Sequence, residues 1–144
     1  MLILDDFSLG LDPGYRRLFV DYLRDYARSE NKTVFLTSHI IQDMERLIDD
    51  CIIMDYGSIL IQQPIETLMK GLRKYTCTVP EGYQPQLPVT CYHPAVIRQT
   101  LETYSFLPPS DVEGLLKENQ VPFTGLQHEN VGLEDAFIGL TGKY

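Results

Sequence analysis

Two adjacent carboxylates, Asp5 and Asp6, close the apolar run Leu2-Ile3-Leu4. A short run of this kind reads as a buried parallel strand. The C-terminal ends of such strands are where α/β folds bind ligands. An aspartate there offers the oxygen chemistry that Mg²⁺ takes, with several positions left to water. A second carboxylate beside it can polarise an attacking water. Taken singly, the same pattern describes a strand end with two solvated carboxylates. About thirty residues further on, Thr33-Val34-Phe35-Leu36-Thr37 is β-branched and apolar and runs into Ser38-His39. An imidazole therefore stands at the end of a second strand, where an isolated histidine would be a solvent-facing helix-entry residue.

The elements that must position these groups follow from periodicity. Asp12 suits a helix N-cap and Pro13 the first helical position. Apolar residues recur at Tyr15, Leu18, Phe19, Tyr22, Leu23 and Tyr26, a 3.6-residue stripe that predicts a core-facing helix ending near Ser29-Glu30-Asn31. A second helix is expected from about Ile40 to Asp50, with Ile41, Met44 and Ile48 on one face. Cys51-Ile52-Ile53-Met54 reads as a third strand, Asp55-Tyr56-Gly57-Ser58 as a turn, and Ile59-Leu60-Ile61 as the returning strand of a hairpin. The alternation predicts an α/β fold, a parallel sheet with an antiparallel hairpin at its end. The chain opens inside a strand with no lead-in, which suggests truncation.

Pro64 to Lys74 predicts a short helix, and the texture changes after it. Strands are expected at Thr76–Val79, Val89–Tyr92 and Val121–Gln127, and a proline-rich loop from Pro80 to Pro88. Helices are expected at Pro94–Tyr104, after the capping-box pattern Ser110-Asp111-Val112-Glu113, and at Gly132–Leu140. A boundary near residue 74 then separates residues 1–74 from a small α+β C-terminal subdomain at 75–144.

Composition narrows the function classes. The net charge is -8, which argues against nucleic acid as a partner, because neutralising phosphates needs clustered Lys and Arg. Residues 1–74 carry nine Lys/Arg against twelve Asp/Glu, and residues 75–144 three against eight. The second half is thus the poorer seat for phosphate chemistry. No apolar run reaches the roughly 18 residues of a membrane span. Cys51, Cys77 and Cys91 have no C-x-x-C spacing and read as free thiols of a reducing compartment. Cys91 and His93 lack the further ligands that a structural metal site needs.

In order and spacing these motifs resemble the ATP-binding subunits of ABC transporters. Leu2 to Asp6 is similar to the Walker B strand of that family, Ser8 to Asp12 to its D-loop, and His39 to its switch histidine. Ile40 to Ile61, with Glu45, Asp50 and the glycine turn, is similar to the helix and hairpin that follow, and Gly132 to Gly142 to the common C-terminal helix. The resemblance implies a partial P-loop NTPase (RecA-like) sheet. It implies ATP and Mg²⁺ as cofactors, with Asp5 as metal ligand, Asp6 orienting or deprotonating water and His39 sensing the γ-phosphate. Ser8 and Asp12 would lie at the nucleotide-sandwiching interface with a second ATPase subunit. The implied partner is a transmembrane permease, served from the cytoplasmic, inner face of the membrane.

Two departures qualify that implication. Asp6 stands where the family usually has glutamate, and a side chain shorter by one methylene falls back by about 1.5 Å. The phosphate-binding pattern G-x-x-x-x-G-K-[ST] does not occur, the only Gly-Lys pair being Gly142-Lys143. The chain alone is therefore expected to be an inactive fragment of an ATPase, and one that self-associates through exposed sheet surface. The rival expectation is a non-catalytic interaction or regulatory domain derived from such an ATPase, with residues 75–126 as its binding surface. A non-transport ATPase of the same family is a lesser alternative.

Overall fold

The computed structural model describes residues 1–7, 9–41 and 44–143. Among the described residues it is a mixed α/β chain with three sheets, and it divides into two compact units, Met1–Asp49 and Asp50–Tyr144. The division falls ahead of the change in sequence texture near residue 74.

The first unit holds β1 (Leu2–Leu4), α1 (Pro13–Ser29), β2 (Val34–Leu36) and a 3₁₀ turn at Met44–Arg46. β1 and β2 pair in parallel, with Leu4 opposite Leu36. The link between them is α1, as a parallel pair requires. α1 forms where its cap predicts: the Asp12 carboxylate accepts from the N–H groups of Gly14 at 2.9 Å and Tyr15 at 3.1 Å. Its buried residues are Val20 and Leu23, whereas Tyr15, Leu18 and Tyr22 are exposed. The stripe expected to face a core is thus largely open, and with Leu11 and Phe19 these residues line a concavity of about 380 Å³. The helix expected from Ile40 is only the 3₁₀ turn among the described residues. The Ser38 hydroxyl bonds both the N–H and the C=O of Ile40, a local competitor that keeps the backbone out of a helix there.

The second unit begins with the hairpin of β3 (Asp50–Asp55) and β4 (Ser58–Pro64). Tyr56 and Gly57 both have positive φ, 45° and 78°, the requirement of a tight hairpin turn that matches strand twist. The expected hairpin thus forms, β3 pairing antiparallel with β4, and among the described residues the parallel pairing is confined to β1 and β2. After α2 (Ile65–Gly71) come β5 (Arg73–Thr78), β6 (Tyr92–Ile97), β7 (Thr100–Ser105), α3 (Pro109–Glu118), β8 (Thr124–Asn130) and α4 (Leu133–Thr141). The four strands form one antiparallel sheet in the order β6-β7-β5-β8.

The core of this sheet gathers Tyr75, Cys77 and Val79 from the β5 region, Leu101 from β7, Val112 and Leu116 from α3, and Val121. Tyr75 is buried, but its hydroxyl donates to the Leu107 carbonyl at 2.6 Å, so its polar end costs little. Buried Thr103 and Ser105 likewise donate to the carbonyls of Tyr92 and Thr90. α4 lies against β6 and β7.

The helix expected at Pro94–Tyr104 is instead the hairpin of β6 and β7. Leu101, Thr103 and Ser105 recur every second residue and are buried. β7 also pairs with β5 over six positions, a tertiary gain that outweighs local helix preference. α3 starts at Pro109 without a side-chain cap, and Ser110 donates to Asp111 rather than forming the expected box.

Candidate active site

The parallel register of β1 and β2 brings four polar residues together at the C-terminal ends of the two strands. The Thr37 N–H donates to the Leu4 carbonyl at 2.9 Å, one step past the Leu4–Leu36 pair. That contact sets Thr37 beside Asp5. The Thr37 hydroxyl donates to the Asp5 carboxylate and accepts from the Asp6 N–H at 3.0 Å. The Asp6 carboxylate in turn lies 2.8 Å from His39 Nδ1.

The backbone makes this cluster possible. Asp6 adopts φ of 45°, a left-handed conformation that Asp tolerates better than most residues. Had the strand simply continued, Asp5 and Asp6 would point to opposite faces. A following bond from the Leu9 N–H to the Asp6 carbonyl at 3.1 Å closes the turn. Phe7 packs against Phe19 of α1 with ring centroids 5.4 Å apart, and Arg16 donates to the Leu11 carbonyl, so α1 holds Phe7 and Leu11.

The protonation pattern follows from the geometry. A carboxylate only accepts, so Nδ1 of His39 carries the hydrogen toward Asp6. In the neutral imidazole Nε2 is then an acceptor, and in the cation it is a donor. His39 is 61% exposed, so Nε2 can reach a ligand from solvent.

The donor set fits Mg²⁺ of one particular kind. Thr37 occupies one oxygen of exposed Asp5 and leaves the other. Among the described residues no cluster of three or more His, Cys, Asp or Glu could enclose a metal. One carboxylate, water and substrate phosphates are the usual Mg²⁺ environment, in place of an all-protein cage.

The structure thus brings Asp5, Asp6 and His39 together. Asp12 acts as the α1 cap, and Ser8 lies outside the described residues. Thr37 was not singled out from the sequence. Its signal is its position at the end of the second strand, which becomes specific only once the register with β1 is known. The Gly142-Lys143 pair is engaged elsewhere: Lys143 donates to Asp55 and lies 4.0 Å from the Tyr56 ring centroid, and the Asp55 bond holds its ammonium pKa up. Cys51, Cys77 and Cys91 are buried, and burial pushes all three thiols up, away from the reactive thiolate form. His93 Nε2 bonds the Leu140 carbonyl at 3.2 Å.

No family model matches the chain. Over 99% of its length it is 32% identical to the Nod factor export ATP-binding protein I of Ralstonia nicotianae, covering 47% of that protein. It is also similar to the bacitracin transport ATP-binding protein BcrA of Bacillus licheniformis, at 36% identity over 52% of this chain and 24% of the relative. A third relative is the energy-coupling factor transporter ATP-binding protein EcfA2 of Clostridioides difficile, at 39% identity over 41% of this chain and 20% of that protein. The chain spans about half the length of the curated relatives it matches along its whole extent. With the carboxylate pair and the histidine gathered at the ends of two parallel strands, the chain is similar along its length to ABC transporter ATP-binding proteins, consistent with a C-terminal portion of one.

Proposed function

We propose that this chain supplies the metal-binding and water-activating side of an ATP site in a P-loop NTPase fold, and that the whole protein uses ATP hydrolysis to drive a transmembrane permease. The observation that carries this reading is the Asp6–His39 contact of 2.8 Å beside Asp5, at a strand end where α/β folds bind ligands.

Asp5 would hold Mg²⁺ through the carboxylate oxygen that Thr37 leaves open, and the cation would neutralise charge on the nucleotide phosphates. Asp6 and His39 work as a pair. With Nδ1–H donated to Asp6, neutral His39 accepts a proton from water at Nε2; as the cation it donates from Nε2 to a phosphate oxygen. Asp6 keeps the ring in that tautomer and compensates its positive charge, which relieves the shorter side chain of reaching the water itself. Ser8 and Asp12 contribute to the interface with a second ATPase subunit, and the assembly works at the cytoplasmic face of the membrane. Among the described residues no helix is long and apolar enough to cross a membrane. The sequence holds no G-x-x-x-x-G-K-[ST] phosphate loop, so residues 1–144 alone are inactive.

The test uses both the chain and the longest native reading frame that encodes it. The 144-residue chain is expected to have no ATPase activity and no micromolar nucleotide affinity. The whole protein is expected to hydrolyse ATP, and Asp6→Asn and His39→Ala each to lower kcat by on the order of a hundredfold while retaining nucleotide binding. Hydrolysis by the isolated chain, or unaltered rates in both variants, would overturn the reading. A native frame without a phosphate loop would favour the regulatory-domain reading instead.

A further inference from the structure

We propose that Thr37 is a positioning residue of the hydrolytic site, a single hydroxyl that sets the metal-binding carboxylate and the water-activating pair at the same time. The proposal rests on the reading of Asp5 and Asp6 given above.

A hydroxyl has one hydrogen to donate and two lone pairs to accept. In Thr37 the hydrogen goes to the Asp5 carboxylate, and a lone pair receives the Asp6 N–H at 3.0 Å. The first bond engages one Asp5 oxygen and leaves the other open to a cation. The second holds the Asp6 peptide in the orientation that goes with its φ of 45°. That conformation swings the Asp6 side chain out of the strand alternation and toward His39 Nδ1 at 2.8 Å. Threonine suits this role better than serine, because its β-branch narrows the choice of χ1. The Thr37 backbone is held independently by its N–H bond to Leu4, so the hydroxyl is aimed from a paired strand end.

The bonds are not needed to hold the strands together. The β1–β2 ladder runs through Leu2, Ile3 and Leu4, and Thr37 and both its side-chain bonds are exposed. Losing the hydroxyl should therefore affect the site more than the fold.

The experiment compares Thr37→Val, Thr37→Ser and Asp5→Asn in the whole protein encoded by the native frame, measuring kcat against ATP and against Mg²⁺. Thr37→Val is expected to raise half-saturating Mg²⁺ by about tenfold and to lower kcat by ten- to a hundredfold, the scale of a misplacement of about 1 Å. The KM for ATP at saturating Mg²⁺ should stay within about threefold, because uniform substrate binding is not removed. Thr37→Ser should restore both parameters to within about threefold. Thermal melting of Thr37→Val should match the wild type, as for other exposed substitutions. Unchanged Mg²⁺ dependence and kcat in Thr37→Val, with Asp5→Asn impaired, would overturn the role of Thr37 alone. So would a serine variant as poor as valine, or losses that track a fall in melting temperature. An inactive wild type, or an Asp5→Asn variant with normal Mg²⁺ dependence, would overturn the underlying reading and this proposal with it.

Discussion

At position 6 an aspartate is combined with a left-handed backbone. The conformation brings the carboxylate to His39. Asp12 shows how one residue serves a local purpose whatever its role at an interface. Its carboxylate satisfies the Gly14 and Tyr15 N–H groups, which the helix start leaves without a backbone partner. Asp12→Ala is expected to destabilise the first unit by about 1 kcal/mol and to speed hydrogen exchange at the Gly14 and Tyr15 amides. Unchanged exchange at those two amides would contradict the capping assignment.

Among the elements, α4 meets the sheet by an unusually close approach. A Cβ added at Gly139 would lie 2.5 Å from Cγ and Cδ1 of the Tyr104 ring. Those are ring atoms of a buried side chain and cannot fold away as a flexible tip could. Gly139→Ala is expected to cost about 1–3 kcal/mol through overpacking, read as a lower denaturation midpoint. Adding Tyr104→Leu should return part of that loss, because the two residues are in contact. A neutral Gly139→Ala would mean that α4 does not seat on β7 in this way. The same sheet explains why Pro94 to Tyr104 is not a helix. Its residues carry both periodicities, and six-position pairing with β5 decides between them. That pairing partner is far enough away in sequence that local pattern cannot register it.

On the scale of the whole molecule, the two units differ in how much apolar surface they cover. The second has a contiguous core around Tyr75 and Leu101. The first rests on two three-residue strands and one helix, and two-stranded sheets are marginal by themselves. Tyr15, Leu18 and Tyr22 are all more than half exposed and line one concavity on α1, an apolar surface of the kind that marks association sites. The 144-residue chain is therefore expected to pair with a second copy through this surface. Sedimentation velocity over a wide concentration range should show dimers or larger species, and Leu18→Glu with Tyr22→Glu should shift them toward monomer. A wild-type monomer at high concentration would end the idea.

The sequence by itself determined what depends on neighbours along the chain: the Asp12 cap and Pro13 start of α1, the Tyr56-Gly57 hairpin turn, and the pairing of strand ends with Asp5, Asp6 and His39. Each of these is fixed by contacts within a few residues, or by an order of motifs that resembles a known family. The tertiary structure alone decided that Thr37 bridges the two aspartates, that Pro94 to Tyr104 forms strands and not a helix, and that the stripe on α1 stays largely uncovered. These depend on register and packing between distant segments. The Thr37 hydroxyl meets Asp5 across 32 residues of sequence, and a slip of one residue would turn it to the other face of the strand.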